Sequence, residues 1–523
     1  MSRLFEILPG ALAWLTLLLM VFFSWKLPVF ISVFIILFDV YWLLKAIYLS
    51  LHLRSTFSRM KRNLAINWLA KLGEIETNER EQEKAKGREN IRNISRTDSH
   101  NFASTISWRD IYHLVIFPMY KEPYEVVRES FETIAGANYP KDKFIVVLAT
   151  EERAGEEAAI VARRIEKEFG NKFFKLLITV HPDGVPGELP GKGSNESWAA
   201  ERVKGSILDQ LDIPYENILV SVFDVDTQIY PEYFGRLTYV FLNAADRLRA
   251  VYQPIPLFIN NIFETPALAR VVAFSSTFWQ MMQQSRPERL TTFSSQSVPF
   301  SVLVDIGFWN KDVVSEDSRI FWQCYLRYHG DFRVEPLLYP VSMDANVTPS
   351  FWETMKNLYK QQRRWGWGAE NIPYMLDGFL RDKLISFRKK VYWTFNVLEG
   401  FHSWATNSLM IFALGWLPIF LGGKNFNNTL LSYSLPHVTR LIVTLSMIGI
   451  ASSAVFGVLL LPPKPSWFKG WHYALYVLQW AFIPVTLIIF GALPGLEAQT
   501  RLMLGGRWRL GFWVTPKGRY NSK

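Results

Sequence analysis

Cysteine is nearly absent from this chain: Cys324 is the single cysteine among 523 residues. One cysteine cannot form an internal disulfide, and it cannot supply a cysteine-cluster metal site. The net charge of +10 gives little reason to expect nucleic acid as a partner, because the basic residues concentrate beside long apolar runs. Basic residues beside a membrane helix interact with anionic lipid headgroups, so membrane lipid is the expected partner.

Long apolar runs are abundant: hydrophobic residues make up 49% of the sequence, and they gather in five runs. The runs cover residues 4–23, 27–51, 393–421, 439–461 and 471–493. Each is close to the ~20 residues that a membrane helix needs. The first run leads directly into the second, which argues against a cleaved signal peptide. The sequence therefore predicts a multi-pass membrane protein.

Basic residues flank the long stretch between the two groups of apolar runs. They are Arg54, Arg59, Lys61, Arg62, Arg381, Lys383, Arg388, Lys389 and Lys390. By the positive-inside rule, this stretch is expected in the cytoplasm, beneath the plasma (inner) membrane. The basic tail, 501–523, conflicts with this arrangement, because three C-terminal spans that start inside would leave the tail outside. Either one run does not cross, or the charge rule fails for the tail.

The composition divides the chain into six segments. They are two transmembrane helices (1–55), a charged cytoplasmic connector (56–107), a cytoplasmic globular domain (108–350), interfacial amphipathic helices (351–392), transmembrane helices (393–500) and a basic tail (501–523).

Apolar strands alternate with helical stretches in the globular domain. The predicted strands are 112–117, 143–149, 175–180 and 218–223, and a helical pattern follows each of the first three. This alternation predicts an α/β fold with a Rossmann-like, mostly parallel sheet and helices on both faces. Ligands bind such sheets at the carboxyl ends of the strands.

Two aspartates follow the fourth predicted strand with one residue between them. Strand side chains alternate between faces, so Asp224 and Asp226 are expected to point the same way. Two like charges repel there unless a cation or hydrogen bonds neutralise them. The pair is either a polar strand end capped by a turn or a binding site, and its place at a carboxyl end favours a site.

Two more polar groups follow downstream. The Ser-Glu-Asp group 315–317 precedes a helical pattern, where a serine cap and an acidic first turn would also account for it. Gln361, Arg364 and Trp365 are spaced i, i+3 and i+4, so they share one helix face. The planar fork of arginine suits phosphate oxygens, and tryptophan offers a flat surface to a sugar ring or base. The alternative is an interfacial helix with tryptophan and arginine as membrane anchors.

Taken together, Asp-x-Asp at 224–226, Ser-Glu-Asp at 315–317 and Gln-x-x-Arg-Trp at 361–365 resemble, in order and spacing, the signature of membrane-embedded family 2 glycosyltransferases. Cellulose synthase, hyaluronan synthase and ceramide glucosyltransferase belong to this group. The tail stretch Phe-Trp-Val-Thr-Pro-Lys-Gly (512–518) is similar to a motif of cellulose synthases. The resemblance implies that the α/β domain has a GT-A-type fold between N- and C-terminal transmembrane helices.

The resemblance also assigns roles for an inverting transfer from a nucleotide-sugar donor. Asp226, assisted by Asp224, would hold Mg²⁺ or Mn²⁺ against the donor diphosphate. Asp317, with Glu316 beside it, would be the general base that deprotonates the acceptor hydroxyl. A single base opposite the leaving group implies direct displacement with inversion at the sugar carbon.

Further residues would contact the substrates. Arg364 would stabilise the leaving diphosphate, Trp365 would form the floor of the acceptor site, and Gln361 shares their face. Lys192 and Asn195 resemble a Lys…Asn segment near the nucleotide, although a loop lysine before a capped helix is equally consistent with them.

The first loop of the domain departs from the family pattern. Tyr120 and Glu122 match a Pro-Thr-Tyr-Asn-Glu-like loop, but Met119 replaces its threonine. The next strand ends in Glu151 rather than in the aspartates that contact the base. Glu151 is the candidate to replace them, and base selectivity is left open.

Three functions are compatible with these features. The first is an enzyme that uses a nucleotide sugar, UDP-linked by resemblance, to extend a polysaccharide and translocate it. The second adds one sugar to a membrane lipid acceptor, which the small number of spans favours. The third is a non-catalytic membrane scaffold, supported by the altered segment 150–152 and opposed by the intact site residues.

Overall fold

The computed structural model describes residues 3–77 and 106–519. The predicted connector therefore lies partly outside the described residues, as does the end of the basic tail. Within the described residues, one sheet is formed by β1 (Tyr112–Pro118), β2 (Phe144–Glu151), β3 (Lys175–His181), β4 (Ile218–Val222), β5 (Gln228–Ile229), β6 (Ala250–Phe258), β7 (Ser297–Pro299) and β8 (Arg333–Met343).

The helices divide into those before the last strand and those after it. The first group is α1 (Arg3–Lys26), α2 (Pro28–Leu64), α3 (68–77), α4 (Tyr124–Ala135), α5 (Glu156–Phe169), α6 (Lys192–Val203), α7 (Asp209–Leu211), α8 (Tyr233–Asn243), α9 (Ala267–Gln284), α10 (Phe300–Ile306) and α11 (Glu316–Arg327). The second group is α12 (Phe351–Gly366), α13 (Asn371–Arg381), α14 (Phe387–Phe412), α15 (Leu417–Leu421), α16 (Gly423–Asn427), α17 (Leu430–Leu459), α18 (Gly470–Leu478), α19 (Ile483–Leu487) and α20 (Leu493–Leu504).

The strand order in the sheet is β3-β2-β1-β4-β7-β6-β8-β5. The pairs β1–β2, β1–β4, β2–β3 and β6–β8 are parallel, whereas β7 is antiparallel to both of its neighbours and β5 is antiparallel to β8. All strands except β7 and β5 therefore run in one direction, which confirms the predicted mostly parallel α/β sheet.

Strand alternation divides the core into two layers. In β1, Val115 and Phe117 pack in one buried cluster with residues of α4 and α5. The intervening Leu114 and Ile116 pack in another with residues of α6 and α11. Because both faces of the sheet are covered at its centre, β1, β2 and β4 are almost continuously apolar and buried.

The strand register brings the predicted site loops to one edge. Pro118 at the end of β1 lies opposite Ala149 of β2, and Ile116 lies opposite Val222 at the end of β4. The loops that follow these three strands therefore start side by side, at the carboxyl edge of the sheet.

Apolar helices lie on both sides of this domain in the chain. By length and composition, four helices in the described residues suit a membrane crossing: Arg3–Lys26, Pro28–Leu64, Leu430–Leu459 and Gly470–Leu504. A fifth candidate is a pair of helices, Phe387–Phe412 and Leu414–Leu421, which are bent by 48°. These helices coincide with the predicted apolar runs, so the predicted architecture of terminal apolar helices around an α/β domain is confirmed.

The chain after the second apolar run is part of the folded domain. Helix α2 continues to Leu64, past the predicted boundary at residue 55. In α3, Trp68 and Leu72 are buried against the α/β core, and the backbone N–H of Trp68 donates to Glu232 at 2.8 Å. These apolar residues are spaced i, i+4 and so share one helix face, which explains why this part of the connector packs.

Candidate active site

Asp224 lies in the loop directly after β4. One of its carboxylate oxygens accepts a hydrogen bond from the Ser294 hydroxyl at 2.9 Å. The other lies 3.0 Å from the Lys192 ammonium. A turn is also present, because the backbone N–H of Thr227 donates to the Asp224 carbonyl at 2.8 Å. The strand end is therefore both a turn and a charged site.

Asp226 is 1% exposed, and both of its carboxylate oxygens are engaged. One accepts from the backbone N–H of Asp344 at 3.0 Å, and the other forms an ion pair with Lys517. The Asn260 side chain donates to the Asp226 carbonyl at 3.0 Å, which fixes the backbone here. The two aspartates are thus neutralised by separate lysines.

Lys192, the first residue of α6, is surrounded by four carboxylates. Its ammonium donates to both oxygens of Asp317 at 2.8 Å and lies 3.0 Å from Asp224. Glu196 and Glu316 lie at 3.5 and 3.9 Å. One buried cation therefore joins the predicted base to Asp224 of the predicted metal-binding pair.

The shared burial of these groups shifts their proton affinities. Burial alone would lower the pKa of Lys192, but the surrounding carboxylates raise it well above its ordinary value. Burial raises the pKa of Glu316 to about 8, with a further increase from the Asp317 charge. Burial also raises the pKa of Asp317, against the pull of Lys192. The pKa of Asp224 is lowered, because the nearby lysines outweigh its burial.

Glu196 belongs to this site, although no motif indicated it. Its side chain is fully buried, and neither oxygen accepts a hydrogen bond from a described residue. Oxygens of Glu196, Glu316 and Asp317 lie within 4.8 Å of one another, close enough to hold a metal ion. The available sequence signal was its i, i+4 spacing from Lys192 on one helix.

The basic tail docks on the same edge of the sheet. Lys517 is partly buried and pairs with Asp226, and Arg519 pairs with Glu129 and Asp344. Burial raises the pKa of Asp344 to about 7, with a further increase from the Asp226 charge. The sequence marked the tail motif, but its partners lie 175 to 390 residues away in the chain and left no local pattern.

The Gln-x-x-Arg-Trp group lies on α12, whose Ser350 side chain caps its first turn. The Arg364 guanidinium lies 5.2 Å from the ring centre of Phe512 in the tail. Its positive charge contributes to the lowered pKa of Asp224 and opposes the rise in pKa of Glu316 and Asp317, so Arg364 lies near the same site. The Trp365 ring packs 5.8 Å from that of Phe258. Gln361 is partly buried on the same helix.

The loops after β1 and β2 meet beside the site. The backbone N–H of Tyr120 donates to Glu122 at 2.7 Å, and burial raises the pKa of Glu122. Glu151 pairs with Arg153 at 2.6 Å, and the Arg153 guanidinium lies 4.5 Å from the Tyr120 ring centre. Asn195 donates at 2.7 Å to the Ala149 carbonyl of β2. Glu151 and Asn195 are thus engaged within the protein, and their predicted substrate contacts are still predictions.

Ser315 does not cap α11. The helix begins at Glu316, and the Ser315 side chain makes no capping bond to its described residues. The hydroxyl instead donates to Glu370 at 2.7 Å. The serine-cap part of that explanation is therefore wrong, whereas Glu316 and Asp317 do lie in the first turn of α11. No pattern in the sequence pointed to Glu370.

The Asp224–Asp226 pair is chemically suited to a divalent cation. Carboxylate oxygens are the ligands that Mg²⁺ and Mn²⁺ prefer. The buried ion pair of Asp226 with Lys517 marks a position where the protein already stabilises a positive charge. The residues present therefore fit the predicted metal.

Comparison with known proteins supports the predicted class of enzyme. No known protein-family model matches this chain. Poly-beta-1,6-N-acetyl-D-glucosamine synthase of Staphylococcus aureus (strain COL) is 33% identical over 72 residues, or 14% of this chain and 16% of the synthase. The probable glycosyltransferase YdaM of Bacillus subtilis (strain 168) is 23% identical over 310 residues, or 57% of this chain and 63% of that protein. The chain thus matches less than two thirds of the length of either relative.

Solved structures of glycosyltransferases are also similar in part. The mannosyltransferase PcManGT from Pyrobaculum calidifontis, in complex with GDP-Man and Mn²⁺, has a TM-score of 0.36 and 13% identity, and the match covers 72% of this chain and 85% of that one. Staphylococcus aureus TarS 1–349, in complex with UDP-GlcNAc, has the same TM-score and identity over 66% of this chain and 90% of that one. A likeness at this level transfers neither ligand nor activity.

Proposed function

We propose that this chain is an inverting, metal-dependent family 2 glycosyltransferase, a hexosyltransferase that extends a polysaccharide at the cytoplasmic face of the membrane. Its donor would be a nucleotide sugar, UDP-linked, and its acceptor the growing glycan. The curated relatives, a glycan synthase and a probable glycosyltransferase, support this class.

One observation carries the proposal: a buried ammonium joins carboxylates from separate motifs. Lys192 lies 2.8 Å from Asp317 and 3.0 Å from Asp224, although these residues come from three separate parts of the domain: α6, α11 and the loop after β4. Burying like charges is unfavourable unless they are paired, so a scaffold would gain little from this cluster. A reaction that needs a base beside a diphosphate site would use it directly.

The acceptor hydroxyl would give its proton to the Asp317 carboxylate as its oxygen attacks the sugar carbon. The bond from that carbon to the diphosphate oxygen breaks, and the configuration is inverted. A raised pKa makes Asp317 a stronger base, and the contact with Lys192 keeps its carboxylate oriented. Glu316 would hold a proton near neutral pH, since its pKa is about 8.

Positive groups would stabilise the leaving diphosphate. Arg364 supplies a planar fork for phosphate oxygens, at a site where charge develops during the reaction. Asp226 and Asp224 would hold Mg²⁺ or Mn²⁺, which neutralises diphosphate charge when bound. Gln361 and Trp365 would contact the acceptor beside it.

We further propose four membrane crossings, with the N-terminus, the α/β domain and the tail all in the cytoplasm. Lys517 in the tail contacts Asp226 in the domain, which supports placing both on one side of the membrane. An even number of C-terminal crossings then follows. One of the three C-terminal runs must not cross.

Helix contacts favour Gly470–Leu504 as the run that does not cross. Its Phe490 packs in a buried cluster with Met355 of the predicted interfacial helix α12. Its end lies beside the start of α1, where Arg3 donates to the Leu502 carbonyl at 3.0 Å. Both regions are expected at the cytoplasmic face.

The other two C-terminal runs would cross in opposite directions. Helix α17 runs parallel to α2, because Gly449 lies beside Ala46 and the Phe456 ring lies 5.0 Å from that of Phe57. Since α2 is proposed to run into the cytoplasm, α17 would do the same. The bent pair α14–α15 would therefore cross outward before it.

The small number of crossings also favours the alternative function, the addition of one sugar to a membrane lipid acceptor. Four crossing helices are few to surround an enclosed translocation channel. Product length separates the two functions: a long polymer from one enzyme, or a lipid with one added sugar.

The proposal is tested by nucleoside diphosphate release from detergent-purified protein over a panel of nucleotide sugars. Each donor is assayed with Mg²⁺, with Mn²⁺ and with chelator, with and without native lipid extract. Asp317→Asn is compared with Asp331→Asn, an exposed aspartate of the same domain. Metal-dependent release from one donor, lost only in Asp317→Asn, is the expected result. No release from any donor, even with lipid extract, would favour the scaffold.

A further inference from the structure

The loop that leads into the proposed base, residues 314–315 (the Asp317 loop), is held by one carboxylate outside the three motifs. One oxygen of Glu370 accepts hydrogen bonds from the backbone N–H of Val314 at 3.1 Å, the backbone N–H of Ser315 at 2.9 Å and the Ser315 hydroxyl at 2.7 Å. The other oxygen accepts from the Trp367 indole at 2.8 Å. Glu370 therefore holds the backbone directly before Glu316.

A second set of contacts continues this attachment into α11. Asn371 accepts from Arg319 at 2.6 Å and donates to the Ser318 hydroxyl at 2.8 Å. The Arg319 guanidinium also donates to the Glu370 carbonyl at 3.1 Å. The first turn of α11 is thus joined on two sides to the chain that follows α12.

This attachment links the segments that carry Asp317 and Arg364, the two groups whose relative position the proposed reaction depends on. The turn Trp367–Glu370 directly follows α12, which carries Arg364. The loop that Glu370 holds, residues 314–315, leads into Asp317 in the first turn of α11. The distance between the base and the diphosphate-binding arginine thus depends on the position of Glu370.

We propose that Glu370 is a positioning residue that sets the Asp317 loop against the Arg364 helix; this inference rests on the proposed function. It touches neither substrate in this role. A glutamine at this position keeps one acceptor oxygen but replaces the other with an NH₂ donor, so it cannot serve both the loop and the Trp367 indole. A misplacement of about 1 Å at a reacting group costs on the order of 100-fold in rate.

The test compares Glu370→Gln with a matched control, Glu497→Gln. Glu497 is also a partly buried carboxylate. It accepts hydrogen bonds from two residues of α12, Tyr359 at 2.9 Å and Arg363 at 2.7 Å, but it does not contact the Asp317 loop. We expect kcat to fall 10- to 100-fold in Glu370→Gln, with the donor KM changed less than threefold. In Glu497→Gln we expect a similar loss of thermal stability and little change in kcat.

A double variant tests whether the two groups act as a unit. Ser315→Ala is expected to lower kcat in the wild-type background and to have little further effect in Glu370→Gln, because coupled residues are not additive. Independent, additive losses would contradict the proposal. If kcat and donor affinity fell equally in Glu370→Gln, or if kcat fell as much in Glu497→Gln, Glu370 would have a structural role only.

Hydrogen exchange separates this inference from the proposed function, because it needs no turnover. In Glu370→Gln, the amides of residues 314–315 are expected to exchange at least tenfold faster than in wild type, and to be unchanged in Glu497→Gln. Unchanged exchange at these amides would overturn the positioning role. If no donor is turned over by the wild type, the proposed function fails while the exchange result still decides whether Glu370 holds the loop.

Discussion

Replacing Lys192 with methionine tests the buried charge cluster, because it removes the charge and keeps an unbranched side chain. Four carboxylates lie 2.8 to 3.9 Å from the ammonium. At about 3 Å, one such attraction is on the order of 5 kcal/mol with an effective dielectric constant of about 20. Desolvation offsets part of this, and breaking a buried ion pair typically costs about 3–5 kcal/mol. We therefore expect Lys192→Met to lower the free energy of unfolding by about 3–5 kcal/mol at pH 8.

The loss should depend on pH in a definite direction. As pH rises, the carboxylates lose protons, and the charge that Lys192 no longer compensates increases. Because the pKa values of Glu316 and Asp317 are raised, more of these carboxylates are protonated near pH 5. The loss of stability in Lys192→Met should therefore be smaller at pH 5.

Thermal unfolding in detergent at pH 5 and pH 8 measures this difference. At about 2–4 °C per kcal/mol, Lys192→Met should lower the apparent Tm by roughly 6–20 °C at pH 8. Lys167→Met, at an exposed position of α5, is the control. A loss below about 1 kcal/mol, or one that is the same at both pH values, would refute the reasoning.

Three further predictions follow from the site and the proposed topology. Because the pKa of Glu316 is raised from 4.5 to about 8, this group lowers stability as pH rises through that window, so Glu316→Gln should flatten the dependence of Tm on pH; an unchanged slope would contradict the assignment. In a Cys324→Ala background, an impermeant maleimide should label Asn428→Cys on intact cells and Lys464→Cys only after permeabilisation, and the reverse pattern would exclude the four-crossing arrangement. Lys517→Met frees a buried aspartate oxygen, so Mn²⁺ should raise Tm more in this variant than in wild type; an equal shift would argue against a cation there.

The sequence by itself determined the fold class and its main elements, and it predicted the chemistry of the motifs. Strands β1, β2 and β4 were predictable because strands covered on both faces are almost continuously apolar, and the helix 124–135 was predictable from its periodicity. The motif residues were predicted from residue type, since carboxylates suit a divalent cation and a guanidinium suits phosphate oxygens, and their roles are still predictions. Apolar length likewise identified the candidate membrane helices.

Only the tertiary structure decided which of these groups meet. Lys192 and Asp317 are 125 residues apart, and Lys517 reaches Asp226 across 291 residues, so no local spacing records either pair. The contact of Glu370 with the loop before Asp317 is equally non-local. Hydropathy measures how apolar a run is but not what it packs against, so the sequence marked Gly470–Leu504 as a candidate crossing and did not indicate its contact with α12. Ion pairs and helix contacts between distant segments are chosen by the fold, which sets positions that chain order does not contain.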